Sequence, residues 1–145
     1  MIAESQPYRL LTSTQIDLVR RSFDSIRRRE FAETFYRRFF ELAPSARALF
    51  PSDLEGQYLT LMNMIAALVG ALDKRELFQS MTTYAGLQHA RFGAKPAHFR
   101  AFGEALLWCL EQHFDSSFTP ELRLAWVTLY DAVRKKMISV AARAA

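Results

Sequence analysis

The fold turns on the stretch LFQSMTTYAGLQHARFGAKPAHFRAFGEALL, residues Leu77 to Leu107. Steps of four from Leu77 reach Met81, Ala85 and His89, so one apolar line of a helix ends on an imidazole. Two small residues, Ala85 and Gly86, precede that histidine, which lets a flat group approach the helix closely. The pattern stops near Gly93, and Pro96 suits the first turn of a following helix that carries Phe99, Phe102, Leu106, Cys109 and Leu110.

Helical spacing continues outward in both directions. Upstream, Ser52 to Glu55 has the form of a capping box, and Leu54, Tyr58, Leu61, Ile65, Leu68 and Leu72 follow at steps of four and three. Met62, Met64 and Val69 widen that face, which predicts the most buried helix of the chain; Asp73 to Glu76 then opens the His89 helix. Before it, two adjacent stripes run to Pro44: Phe31, Phe35, Phe39 and Leu42 beside Ala32, Tyr36, Phe40 and Ala43. A short segment from Ser45 to Phe50 ends at Pro51. Thr12 with Gln15 starts a first helix through Ile16, Val19, Phe23 and Ile26. Thr119-Pro120 starts a last one through Leu122, Trp126, Leu129, Val133 and Met137. No strand alternation or internal repeat competes with these counts, so the fold class is all-α, in one domain with short linkers.

Composition narrows the class further. A chain of 145 residues with 50% apolar content suffices for one sizeable core, and 23% charge with only 5 Gly and 5 Pro excludes a disordered or low-complexity chain. The single Cys109 allows no internal disulfide, which fits a reducing compartment. The N-terminus lacks the marks of a signal peptide, and the longest apolar run, Met64 to Leu72, is far too short to span a bilayer, so a cytoplasmic location is expected. The net charge of +4 comes with basic clusters such as Arg27-Arg28-Arg29, but acids are interleaved and no nucleic-acid motif accompanies them. They read as solvated helix faces, with room for an acidic partner such as a reductase.

Few residues remain for chemistry. His98 and His113 sit near the two ends of one helix, where surface or capping roles are ordinary, whereas His89 lies on an apolar line. Such a histidine is more often a core residue bonded to a backbone carbonyl than a ligand, but the small neighbours tilt the reading towards a cofactor. His-x-x-x-His, paired cysteines and Glu-x-x-His are all missing, which argues against zinc or di-iron. The nucleophile-elbow and phosphate-loop signatures are also missing.

TFYRRFFELAPSARALF (Thr34 to Phe50), QYLTLMNMIAALV (Gln57 to Val69) and LQHARFGAKPAHFRAFGEALL (Leu87 to Leu107) occur in an order that resembles the globins. The closest likeness is to single-domain bacterial haemoglobins and the haem domain of flavohaemoglobins, over about Thr12 to Val140. The resemblance implies a three-on-three helical sandwich around haem b, with residues 1–11 as an N-terminal extension and 12–145 as the globin domain. It makes His89 the proximal iron ligand, puts Phe50 against the porphyrin, and sets Tyr36, Gln57 and Leu61 in the distal pocket. The segment between Phe50 and Gln57 is shorter than in the bacterial members, which leaves Tyr58 as the rival for Gln57's place. Phe31, Phe35, Phe102, Met62 and Met64 are kept as core packing. Flavohaemoglobins couple the proximal histidine to a tyrosine and a glutamate; here Phe99 and Ala141 stand there, so the electron push towards iron is missing. No flavin and nicotinamide domain follows in the sequence.

Three functions compete. The leading one is reversible binding, with a role in oxygen transport, of dioxygen or of carbon monoxide or nitric oxide, at a five-coordinate ferrous haem. The second is nitric oxide dioxygenation with a separate reductase. The third is a haem-free signalling module on the same fold, which His89 and the complete set of pocket residues weaken.

Overall fold

The first and last helices begin at the caps that the sequence places there. Thr12 closes the first helix reciprocally: its hydroxyl accepts from the Gln15 amide at 3.1 Å while its own N–H donates to the Gln15 side chain at 2.9 Å. Thr119 likewise accepts from the Leu122 N–H at 3.2 Å, with Pro120 following as the first residue of the last helix. The computed structural model describes residues 10–144. Its α-helices are α1 (Ser13–Asp24), α2 (Arg28–Leu42), α3 (Glu55–Gly70), α4 (Arg75–Arg91), α5 (Pro96–Phe114) and α6 (Pro120–Ala144). Short 3₁₀ turns at Pro44–Leu49 and Asp115–Ser117 complete the order, and no strand occurs among the described residues.

The helices stack in two layers of three. In one layer α5 lies between α2 and α6; across the layers α1 and α4 pack on α6, and α3 packs on α2. Phe31, Phe35 and Phe39 of α2, Val19 and Phe23 of α1, and Leu106 and Leu110 of α5 form the core with Trp126 of α6. The Trp126 indole N–H donates to the Ser22 hydroxyl at 3.0 Å, so this buried ring keeps a polar partner. Arg29 sits on a solvated face as expected, pairing with Glu55 at 2.6 Å, but Arg20 is half-buried and ties α1 to the end of α3, donating to the Val69 and Gly70 carbonyls at 3.1 and 3.2 Å and pairing with Asp73 at 2.9 Å.

Several expectations change. Residues 1–9 of the expected extension lie outside the described residues, but Leu11, also assigned there, is 1% exposed and belongs to the core. No box forms at Ser52; α3 begins two residues later than a box would set it, and the Glu55 N–H donates to Asp53 at 3.1 Å instead. Asp73 does not cap α4, because Arg20 engages its carboxylate. Nor is α3 the most buried helix: only Leu61, Met62 and Val69 are buried on it, because much of its apolar face looks into a cleft rather than onto a neighbouring helix. Leu42 and Leu77, at the ends of their stripes, are exposed.

Gly86 has a different use from the one its place suggests. A β-carbon there would lie 3.1 Å from the Cα and carbonyl oxygen of Met137 and from Cβ of Val140, so this glycine lets α4 close against α6, not against a cofactor. The contact is with backbone, which cannot move aside. Gly86→Ala is therefore expected to lower stability by about 1–3 kcal/mol through overpacking, less the fraction regained from helix propensity. Gly70→Ala, where nothing lies within 4 Å, should be neutral or slightly stabilising. Urea denaturation of the two variants checks the contrast; equal effects would mean that α4 and α6 are not in close contact at Gly86.

Candidate functional site

A cleft opens among α2 to α6, with an empty volume of about 1270 Å³ counting the space at its mouth. Its walls are almost wholly apolar, and no Asp or Glu lines it. Tyr36, Phe50, Gln57, Leu61, His89 and Phe99, the residues singled out from the sequence, all line this one cleft.

The His89 side is built by α4. Its last turn is closed by a double bond pattern: the Gly93 N–H donates to the Ala90 carbonyl at 3.2 Å, and the Ala94 N–H donates to the His89 carbonyl at 3.0 Å. Gly93 holds φ +84°, a conformation that suits glycine there. One turn back from His89, the Ala85 carbonyl lies 2.7 Å from His89 Nδ1. A carbonyl only accepts, so Nδ1 carries the proton and donates, and a neutral ring keeps its free lone pair on Nε2. That is the state an imidazole needs in order to bind a metal. The Phe99 ring lies 6.0 Å from the imidazole, tilted by 43°, and the Tyr130 hydroxyl donates to the Phe99 carbonyl. Tyr130 fits because residue 103 is glycine: a β-carbon there would sit 2.6 Å from the Tyr130 ring.

Gln57, Leu61 and Ile65 enter the cleft along α3, at successive steps of four. The Gln57 side-chain N–H donates to the Tyr36 hydroxyl oxygen at 3.3 Å. Tyr36 is buried beside Phe35 and Phe50, with ring centroids at 5.1 and 5.5 Å. Burial pushes its phenol up to about 12, against the opposing effect of the Gln57 bond. A phenol is protonated at neutral pH in any case, and the shift extends that range, so the hydroxyl has a hydrogen to donate into the cleft. Tyr58 stays outside: its ring packs 5.9 Å from that of Tyr36 and under the Arg29 guanidinium, leaving the cleft position to Gln57.

Phe50 stands at the corner between the 3₁₀ turn and α3, and Arg47 holds that corner. Its guanidinium donates to the carbonyls of Phe50, Pro51 and Ser52 at 3.3, 2.9 and 3.0 Å. Sequence reading missed this role, since a single arginine in a short turn carries no pattern. It also placed Met64 and Phe102 in the core, yet both are half-buried and line the cleft. Met64 follows Leu61 by three on the Gln57 face, and Thr82 precedes His89 by seven, so helical spacing could have found both. The Thr82 hydroxyl, buried in the wall, is satisfied by the Phe78 carbonyl at 2.9 Å. His98 caps α5 as expected, accepting from the Lys95 N–H at 3.1 Å, and it also reaches the cleft.

A globin family profile matches residues 33–137. The chain belongs to the globin family. It is 29% identical over 144 residues to a neuroglobin of Tetraodon nigroviridis, covering 88% of this chain and 90% of that protein. It is 28% identical over 138 residues to an anaerobic nitrite reductase, NSHB5, of Oryza sativa subsp. indica, covering 87% and 95% respectively. The two-layer helical fold is thus the globin fold, and haem-based gas binding is the family's chemistry. The cleft suits a haem on its own terms: an apolar slot for a flat macrocycle, with one imidazole nitrogen free for iron.

Alkaline titration tests the Tyr36 environment. A phenol whose folded value lies above its unfolded one contributes stability that is complete below pH ~10 and is lost as pH rises through about 12. Stability should therefore fall between those values, and Tyr36→Phe should make the fall shallower; an unchanged slope would show that the phenol is solvated.

Proposed function

We propose that this globin reversibly binds dioxygen or a related diatomic gas at a five-coordinate haem b, with His89 as the iron ligand and Tyr36 and Gln57 as hydrogen-bond donors to the gas. The observation that carries this reading is the 2.7 Å contact between His89 Nδ1 and the Ala85 carbonyl, which leaves Nε2 free on a ring that lines the same cleft as Tyr36 and Gln57. A bound haem would supply a ferrous iron able to bind and polarise the gas. The residues of this chain do the rest. His89 is held in the metal-binding tautomer by its backbone partner. Tyr36 offers a protonated hydroxyl, and Gln57 both orients that hydroxyl and brings a second amide hydrogen. Phe50, Leu61 and Phe99 exclude water and hold a flat ring by contact. A glutamine amide is a poor iron ligand, so Gln57 would not compete with the gas for a bound haem's iron.

The Tyr36 and Gln57 pair also supports the likeness to single-domain bacterial haemoglobins, and the lone, buried Cys109 suits a cytoplasmic setting. Tyr36→Phe should speed dioxygen release at least tenfold, the equivalent of ~1.4 kcal/mol, while carbon monoxide release changes little because that ligand carries less charge. Stopped-flow ligand exchange measures both; equal effects would sink the electrostatic account. His89→Gly should lose the five-coordinate ferrous spectrum until imidazole is added.

The proximal side favours holding gas over activating it. His89 has a backbone carbonyl and the Phe99 ring beside it, and a carbonyl draws far less proton density from the imidazole than a carboxylate does. Resonance Raman of the ferrous protein should give an iron–histidine stretch in the range of oxygen carriers, with weak peroxidase activity. A stretch in the peroxidase range would favour an enzymatic role, such as nitric oxide dioxygenation with an external reductase.

A further inference from the structure

We infer that the outer face of α4 and the corner after it dock an acidic, electron-donating protein. This inference rests on the haem reading above and adds a partner to it. Leu77, Tyr84, Leu87 and Phe92 are all exposed, Tyr84 at 62% and Phe92 at 65%. Leu77, Tyr84 and Leu87 follow at steps of seven and three, which puts them on one face of α4, away from the buried Ala85 and Gly86. Exposed Leu49 lies 3.9 Å from where a β-carbon on Gly93 would stand, so the apolar surface continues across the corner. From Glu76 to Glu104 the sequence contains no other carboxylate, while Arg91, Lys95 and Arg100 are all exposed. Glu76 borders the patch at its Leu77 end, but the corner end, around Phe92, carries only basic side chains in the sequence, and an apolar centre with a basic border there is the complement of an acidic protein face around an apolar anchor; aromatic and arginine residues are the usual hot spots of such contacts.

Position and charge together select the partner. Ala94 and His98, from the same corner, line the cleft, so a protein seated here lies beside its mouth. A second copy of the chain is a poor occupant, because it would set Arg91, Lys95 and Arg100 against their like. Gas binding needs ferrous iron, and each iron lost to the ferric state takes back one electron. A reduced flavoprotein can give that electron, its flavin becoming one electron more oxidised, with no bond made or broken in either protein.

The test uses the full-length, haem-loaded chain and immobilised flavodoxin, an acidic one-electron flavoprotein. The Kd should rise at least tenfold in Arg91→Glu/Lys95→Glu and about fivefold in Phe92→Ala, and binding should weaken with added salt. Stopped-flow reduction of the ferric protein by reduced flavodoxin should slow in parallel, while reduction by dithionite and carbon monoxide binding stay at wild-type values. Unchanged Kd values, or equal slowing with dithionite, overturn the inference. Loss of affinity for phosphatidylserine vesicles rather than for flavodoxin overturns it too, in favour of a membrane surface. The haem reading fails separately: it would be refuted by a wild-type chain that binds flavodoxin through this patch yet takes up no haem.

Discussion

The approach of α4 to α6 at Gly86 is the constraint on which the site depends. A lone imidazole can serve a metal only if its helix is fixed in rotation and in depth. Gly86 fixes depth by bringing α4 against the Met137 backbone, and the cap at Gly93 fixes the end of the same helix one turn beyond His89. Between these two points the Ala85 carbonyl fixes the ring itself. Three weak local restraints therefore hold one nitrogen in place, without any charged partner.

On the other side of the cleft, order comes from aromatic packing and a single polar pair. Tyr36 is clamped among Phe35, Phe39, Phe40 and Phe50, and its hydroxyl is bonded to the Gln57 amide. Two polar groups that satisfy each other can be buried at modest cost, and each still has hydrogen-bonding capacity left for a guest. Arg47 contributes from outside the cleft: by gathering three carbonyls it fixes the corner that carries Phe50 and leads into α3. Deleting that guanidinium would free the loop that sets the phase of Gln57.

The helices and their ends were legible because caps, prolines and apolar periods act locally. Thr12, Thr119, Pro44, Pro96 and Gly93 mark ends that the fold retains. What misled was residue type without partner. Gly86 looked like room for a cofactor and proved to be room for a helix, a distinction that depends on the residues found at 137 and 140. Ser52 had the form of a cap, but the turn before α3 uses Asp53, and Asp73 was drawn away by Arg20, far off in sequence. The choice between Gln57 and Tyr58 also lay beyond local pattern, since adjacent residues on a helix differ by about 100° and the helix start decides which one enters.

The half-buried face of α3 shows how the fold divides its apolar surface. Met64, Ile65 and Leu68 would be core residues in a solid helical bundle, but here they face a cleft with Phe102, Leu129 and Val133 across it. Their burial is left for a guest to complete. A flat apolar ligand that fills such a slot removes this surface from water and stabilises the chain through linkage, by an amount set by its concentration over its Kd. The helix that commits least of its surface to other helices is then the one most dependent on the ligand. Because α3 also carries Gln57, the orientation of the distal donor and the filling of the cleft become one equilibrium.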